Sequence, residues 1–226
     1  PPEHTDRRTV FERNLDQMVK NAELTASKFL SAQTVEALLP LVRDRARVEP
    51  AIRAWYREGP PFSAALRGMK FHSAAMLPDS VFVRLLAETE DFRHVVVTLE
   101  ETPEGWLVDW ESFVAWSAVA WSDLAEGRTP DGTPALVRAY LQLADWYEPP
   151  YSQQKHQSCT LRSSTSPQVL PAWMEADPLG LMLLRGAIFD AGTPEIEVIA
   201  RVRPIPGGTP GRLEIVEILQ TGWILW

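Results

Sequence analysis

From Thr9 onward the apolar residues Phe11, Leu15, Met18, Ala22, Ala26 and Phe29 recur at three- and four-residue steps, the period of one face of an α-helix. Thr34 is placed to cap a short second helix running through Leu39, which Pro40 closes or bends. A third helix is expected over about 48–56, with Pro50 in its first turn and Gly59-Pro60-Pro61 as its stop. The apolar pattern then changes to a period of two over 65–75, 81–88, 93–100 and 106–113, the signature of half-buried strands. Pro78-Asp79, Glu90-Asp91 and Thr102-Pro103-Glu104-Gly105 break these runs, and such short links favour an antiparallel meander. Helices that precede a curved antiparallel sheet are expected to pack across one of its faces.

The stretch from Glu126 to Pro134 is polar and dense in glycine and proline, so 127–133 is read as a linker between a domain over 1–126 and another over 134–226. Beyond it, strands are expected over 136–147, 157–163 and 168–175. A short helix after Asp177-Pro178 carries Leu179, Met182, Leu183 and Ile188, with Asp177 as cap and Pro178 in the first turn. Two strands over 195–203 and 212–219, joined by a loop too rich in proline and glycine to continue either, complete the pattern. The expected class is α+β: N-terminal helices packed on a bent antiparallel sheet, then a small five-stranded barrel-like domain with one helix.

Strand, strand, strand, helix, strand, strand in the second half resembles the oligonucleotide/oligosaccharide-binding barrel, which places its helix between the third and fourth strands. In the first half, leading helices are followed by a strand such as Gly105-Trp106-Leu107-Val108-Asp109-Trp110. This half resembles the nuclear transport factor 2-like, or cystatin-like, superfamily. The segment LLPLVRDRARVEPAIRAWY is similar to a group of bacterial proteins of no assigned activity that share both halves. These likenesses imply folds and carry no chemistry.

Composition narrows the function classes. An apolar fraction of 45% with 23% charged residues is that of a chain able to fill a core. Nine tryptophans point to thick cores and half-wet edges. A net charge of −8, with seven basic against nine acidic residues after Thr133, argues against tight nucleic-acid binding. The single cysteine, Cys159, excludes an internal disulfide and a polythiolate zinc site, and its alternation in QSCTLRSS reads as a plain strand position. No run approaches the length of a membrane span. The expectation is a soluble chain of undetermined compartment; because it begins at Pro1 without a methionine, that it is the soluble portion of a longer anchored or processed precursor stays open.

Candidate chemistry is sparse. Strand alternation would set Asp109 and Glu111 on one face, opposite Trp106 and Trp110, which are expected to face the core. Either the two carboxylates face water, or they line a concave pocket where mutual repulsion raises one pKa, with His94 on the preceding strand completing an acid/base site. In the second half Arg138 and Tyr140 share one strand face and Arg201 and Arg203 another, together a candidate binding groove. No histidine pair stands at metal-ligand spacing, no nucleophile motif occurs, and the glycine-rich 207–211 loop lacks the lysine and helix of a phosphate cradle. No cofactor is expected. The sequence therefore favours a non-catalytic binding or scaffold protein whose partner is unknown, with a protein as the candidate, and whose oligomeric state is unknown. Its rival is a small-molecule-binding protein or enzyme using the concave face of the N-terminal sheet.

Overall fold

A computed structural model describes residues 7–57, 65–77 and 79–225 and divides the chain into two compact units, Pro1–Phe113 and Val114–Trp226. The first unit opens with α1 (Arg7–Leu30), which turns Ala22, Ala26, Phe29 and Leu30 into the core. A short α2 (Val35–Leu38) follows, capped as expected: the Ala37 amide donates to Thr34 Oγ1 at 3.2 Å. The 3₁₀ turn Leu39–Leu41 absorbs Pro40. α3 (Arg45–Trp55) begins three residues earlier than the periodicity indicated, so Pro50 lies inside the helix and not in its first turn. Asp44, at φ 50°, sets that earlier start by turning the chain immediately before Arg45. The stop assigned to Gly59-Pro60-Pro61 lies outside the described residues, as does Pro78.

Four strands then form an antiparallel meander in the order β1 (Leu66–Met76), β2 (Val81–Thr89), β3 (His94–Thr102) and β4 (Gly105–Val108). The last hairpin is tight: Thr102 pairs with Gly105, whose φ of +118° is open to glycine and costly for other residues. Val83, Leu85 and Ala87 of β2 and Val97 and Leu99 of β3 are fully buried, and α1 packs against all four strands. The expected strand over 106–113 is cut in half. Asp109 Oδ1 accepts the Ser112 amide at 2.8 Å, and this side-chain cap starts a helical turn, α4 (Trp110–Phe113), where two-residue alternation had indicated strand. Trp106 and Trp110 are buried as expected, and the Trp110 indole donates to the Tyr56 hydroxyl at 3.2 Å. Burial pushes the pKa of that hydroxyl above the ordinary tyrosine value.

The second unit is a closed barrel. After α5 (Trp121–Ala125) come β5 (Ala135–Leu143), β6 (His156–Arg162), β7 (Val169–Glu175), α6 (Pro178–Ala191), β8 (Glu195–Pro204) and β9 (Leu213–Thr221). The strands close in the order β5-β6-β7-β9-β8, with β8 returning to β5. Every pairing is antiparallel except β7 with β9, which is parallel and covers only Ala172–Met174 against Leu213–Ile215. Alternate residues fill the barrel: Val137, Ala139 and Leu141, then Cys159 and Leu161, then Val198, Ala200 and Val202. A closed five-stranded barrel with its helix between the third and fourth strands is compatible with an oligonucleotide/oligosaccharide-binding-like barrel. Among the described residues no helix is long and apolar enough to cross a membrane.

The division between units falls at Phe113, ahead of the expected linker over 127–133. Val119, Trp121 and Leu124 belong to the barrel core, so 114–126 group with the second unit. The polar stretch is a tied connection between α5 and β5: the Arg128 amide donates to Asp123 O at 2.8 Å, and its guanidinium pairs with Asp123 and Glu126. A fragment comprising Val114–Trp226 is accordingly expected to unfold cooperatively in urea. One beginning at Thr133 lacks Trp121 and Leu124, each worth about 2–5 kcal/mol as a deleted core side chain, and should melt far earlier or not cooperatively. Equal midpoints for the two fragments would place the boundary back at 127–133.

Candidate functional site

In the first unit the helical turn brings Asp109 and Glu111 into the protein, at 3% and 6% exposure, instead of toward water or an open pocket. Buried carboxylates require partners. Asp109 Oδ2 accepts from Arg43 Nη1 at 3.3 Å, and the Arg43 Nε lies 3.2 Å from Glu100. Glu111 accepts from both terminal nitrogens of Arg47, Nη1 and Nη2, at 2.8 Å each, a bidentate pair that raises the arginine pKa above its ordinary value. These bonds fasten the chain around α3 to the end of the sheet, where the Arg43 amide also donates to Val108 O at 3.0 Å. His94 is exposed at the start of β3, opposite Glu88. Asp109 meets that strand at Thr98, four residues along, about 13 Å by strand rise. The three residues do not converge.

The candidate groove of the second unit is also redistributed. Arg138 is fully buried on the outer side of β5, where its Nε donates to Trp223 O at 3.0 Å and its Nη1 to Trp116 O at 3.1 Å. It ties two chain segments to the barrel wall. Tyr140 lies 4.8 Å from the Trp223 ring and under the guanidinium of Arg162, at 4.2 Å. Arg201 pairs with Glu217 at 3.6 Å, and Arg203 with Glu214 at 2.8 Å. The four residues read as one basic-aromatic groove are therefore each already engaged, Arg138 and Tyr140 around Trp223 and Arg201 and Arg203 with glutamates of β9. Cys159 is a buried free thiol, its pKa pushed up to about 12 by desolvation.

Two concave features emerge that periodicity had not marked. The connection between β5 and β6 folds onto the barrel wall, stacking Tyr151 on Trp173 at 5.1 Å and 13°, with Trp146 tilted against the same ring. His156, Lys155, Glu175 and Glu214 complete a cleft of about 320 Å³ there. The larger feature is a groove of about 840 Å³ between α6 and β9. Asp177 caps α6 by accepting the Gly180 amide at 2.7 Å, and a Cβ at Gly180 would sit 2.8 Å from that carboxylate oxygen. Leu184 enters the barrel core, with Leu181, Ala187 and Ile188 packed against it. The opposite side of α6 carries further large apolar residues, and these are exposed: Leu179, Met182 and Leu183 are each more than 60% exposed and Phe189 is 85% exposed. Of the four apolar residues that marked this helix in the sequence, Ile188 packs against the barrel core, while Leu179, Met182 and Leu183 are exposed. A helix apolar on all sides normally lies inside a protein, and that was the signal available in PLGLMLLRGAIFDA.

Fold and site together define a two-unit α+β protein that carries, among the described residues, an apolar groove on a small barrel. Comparison with protein-family models, with curated proteins and with solved structures finds no significant match to this chain.

Two outcomes follow from the buried groups. Arg47→Ala should destabilise the protein by about 2 kcal/mol, less than the 3–5 of a fully buried pair because the guanidinium is 55% exposed and water partly replaces it. Arg47→Met combined with Glu111→Leu should recover most of that loss in urea denaturation; an unaltered midpoint for Arg47→Ala would show the pair to be idle. Cys159 should resist alkylation by iodoacetamide at pH 8 in the native protein and react once urea unfolds it. The raised thiol pKa also favours the native state below the ordinary thiol value of 9.0, a contribution lost as pH climbs toward about 12. Rapid native labelling at pH 8 would contradict the burial.

Proposed function

We propose that this chain is a non-catalytic binding or scaffold protein and that its barrel unit takes a polypeptide partner along α6. The carrying observation is the second apolar face of that helix. Leu179, Met182, Leu183 and Phe189 are all exposed on this helix, Met182 and Leu183 lining a groove of about 840 Å³, and exposed apolar surface of this kind marks interaction sites. Within the same proposal, the helix-plus-sheet unit is a nuclear transport factor 2-like, or cystatin-like, module serving as scaffold, and the barrel is of the oligonucleotide/oligosaccharide-binding type.

The rival reading, a ligand site on the concave face of the first sheet, needs Asp109, Glu111 and His94 to converge. It is weakened by the engagement of both carboxylates with arginines and by the distance to His94. Tight single-strand nucleic-acid binding is likewise left out of the proposal, because Arg138 is buried and Arg201 and Arg203 already face glutamates.

The test is selection of random dodecapeptides displayed on phage against the full chain, with Leu183→Asp/Phe189→Asp protein as the comparison. Both side chains are exposed, so the variant should keep its circular dichroism spectrum and urea midpoint. Enriched peptides are expected to lose at least about tenfold in affinity, some 1.4 kcal/mol, on the variant. Peptides indifferent to the two substitutions, or no enrichment at all, would remove α6 as the binding element.

A further inference from the structure

We infer that the occupant of the α6–β9 groove is an extended polypeptide segment in which apolar residues alternate with lysine or arginine, added as a strand to the free edge of β9. This deepens the binding reading above and rests on it.

The first ground is the sheet edge. β9 pairs along its length with β8, from Leu213 opposite Pro204 to Thr221 opposite Val198. On its other side β7 reaches only Leu213–Ile215, because β7 ends at Glu175 and the chain turns away into α6. Among the described residues no strand pairs with this side of β9 from Val216 to Thr221, so that edge continues past its neighbour. All six of those consecutive residues line the groove. Side chains alternate between the two sides of a strand, so a wall built from every successive residue is a wall of backbone edge. Unpaired strand edges recruit extended chain, and the six residues span about 20 Å, room for a segment of similar length.

The second ground is the opposite wall. Met182 and Leu183 of α6 face the same space, with Leu179 and Phe189 exposed on the same helix. A strand seated on β9 would present alternate side chains toward this apolar surface, which sets a period of two in the partner.

The third ground is charge. Four charged residues line the groove, Glu175, Asp177, Asp190 and Glu217, and all four are acidic. Asp177 is occupied as the cap of α6 and Glu217 faces Arg201. Glu175 is exposed in the groove lining, and Asp190 stands in the last turn of α6, where the helix dipole disfavours an anion and that turn holds no basic residue to offset it. A cationic occupant relieves both. The same charges decide against a second copy of this chain, which would bring two acidic linings together in a molecule of net charge −8.

The experiment is an array of octapeptides probed with the full chain, affinities then being measured by fluorescence polarisation. Val, Ile, Leu or Phe alternates with Lys or Arg in one set and with Glu in another, while a third set places the same residues at helical spacing. Binding is expected in the alternating basic set, with affinity falling as salt rises. N-methylation of the amides on one alternate set of residues should cut affinity at least tenfold, since only one peptide edge meets β9, while methylation of the other set should change it by less than threefold. Glu175→Lys/Asp190→Lys protein, altered only at exposed positions, should lose at least tenfold while retaining its circular dichroism spectrum. Equal binding of the acidic or helically spaced sets, indifference to both methylation patterns, or no binding by any set overturns the inference. If the first two occur while Leu183→Asp still abolishes binding, the α6 reading survives and only the strand-like basic partner is lost. Dimerisation in sedimentation velocity that Leu183→Asp abolishes would instead identify a second copy as the occupant. Failure of any peptide to depend on α6 would remove both readings.

Discussion

The second unit depends on a three-residue contact, the parallel pairing of Ala172–Met174 with Leu213–Ile215. Without it β5, β6, β7, β9 and β8 would be an open sheet with two long edges, and the side chains of Val137, Leu161, Val198 and Leu213 would share no enclosed core. Because the contact is parallel, β7 and β9 cannot be joined by a hairpin, and the chain between them must pass through α6 and β8. The shortness of the contact has a second consequence. β9 outruns β7 by six residues, and α6 lies alongside the groove that results. Barrel closure and groove formation are thus one feature of the topology.

Each unit also fixes peripheral chain with a buried guanidinium or carboxylate. In the first, Arg43 and Arg47 reach Asp109 and Glu111 across more than sixty residues of sequence. In the second, Arg138 gathers the carbonyls of Trp116 and Trp223 against β5. Such contacts are costly to break from one side because the remaining charge is left in a poor solvent, and they add little where an apolar pair of the same volume would do. What they supply is a fixed path for segments that have few apolar residues to anchor them.

These long-range pairings explain which parts of the molecule were legible in the sequence. Element identity was, because periods of 3.6 and 2 are local: α1, the meander of β1–β3 and all five barrel strands appear within a few residues of where the pattern put them, apart from an overlong β5. The turn at Asp109 was not, since a capping carboxylate interrupts alternation without altering composition. The fate of Asp109, Glu111 and Arg138 was illegible for a different reason. A carboxylate that faces water and one that faces a distant arginine look alike within their own strand, and Arg43 and Arg47 gave no local sign of being the partners. The polar 126–134 stretch misled because glycine and proline mark any sharp connection, whether it separates two cores or, as here, returns α5 to its own barrel.

α6 shows how a correct local reading can leave the functional consequence unseen. Asp177 and Pro178 mark its start correctly, and its apolar residues imply a buried face. A barrel of five strands buries only one side of a helix, and fourteen residues with Leu179, Met182, Leu183 and Phe189 in addition to Leu181, Leu184 and Ile188 exceed what that side can accept. Fully covering a large apolar side chain is worth about 1.5–3 kcal/mol. Four of them, each already partly covered, offer a partner a gross gain of several kcal/mol, against an association cost of about 4–15 kcal/mol. The apolar face alone therefore cannot hold a partner tightly. Backbone bonds along the β9 edge and cation pairing at Glu175 and Asp190 would have to supply the remainder, and that requirement separates a reversible binding surface from a permanent subunit contact.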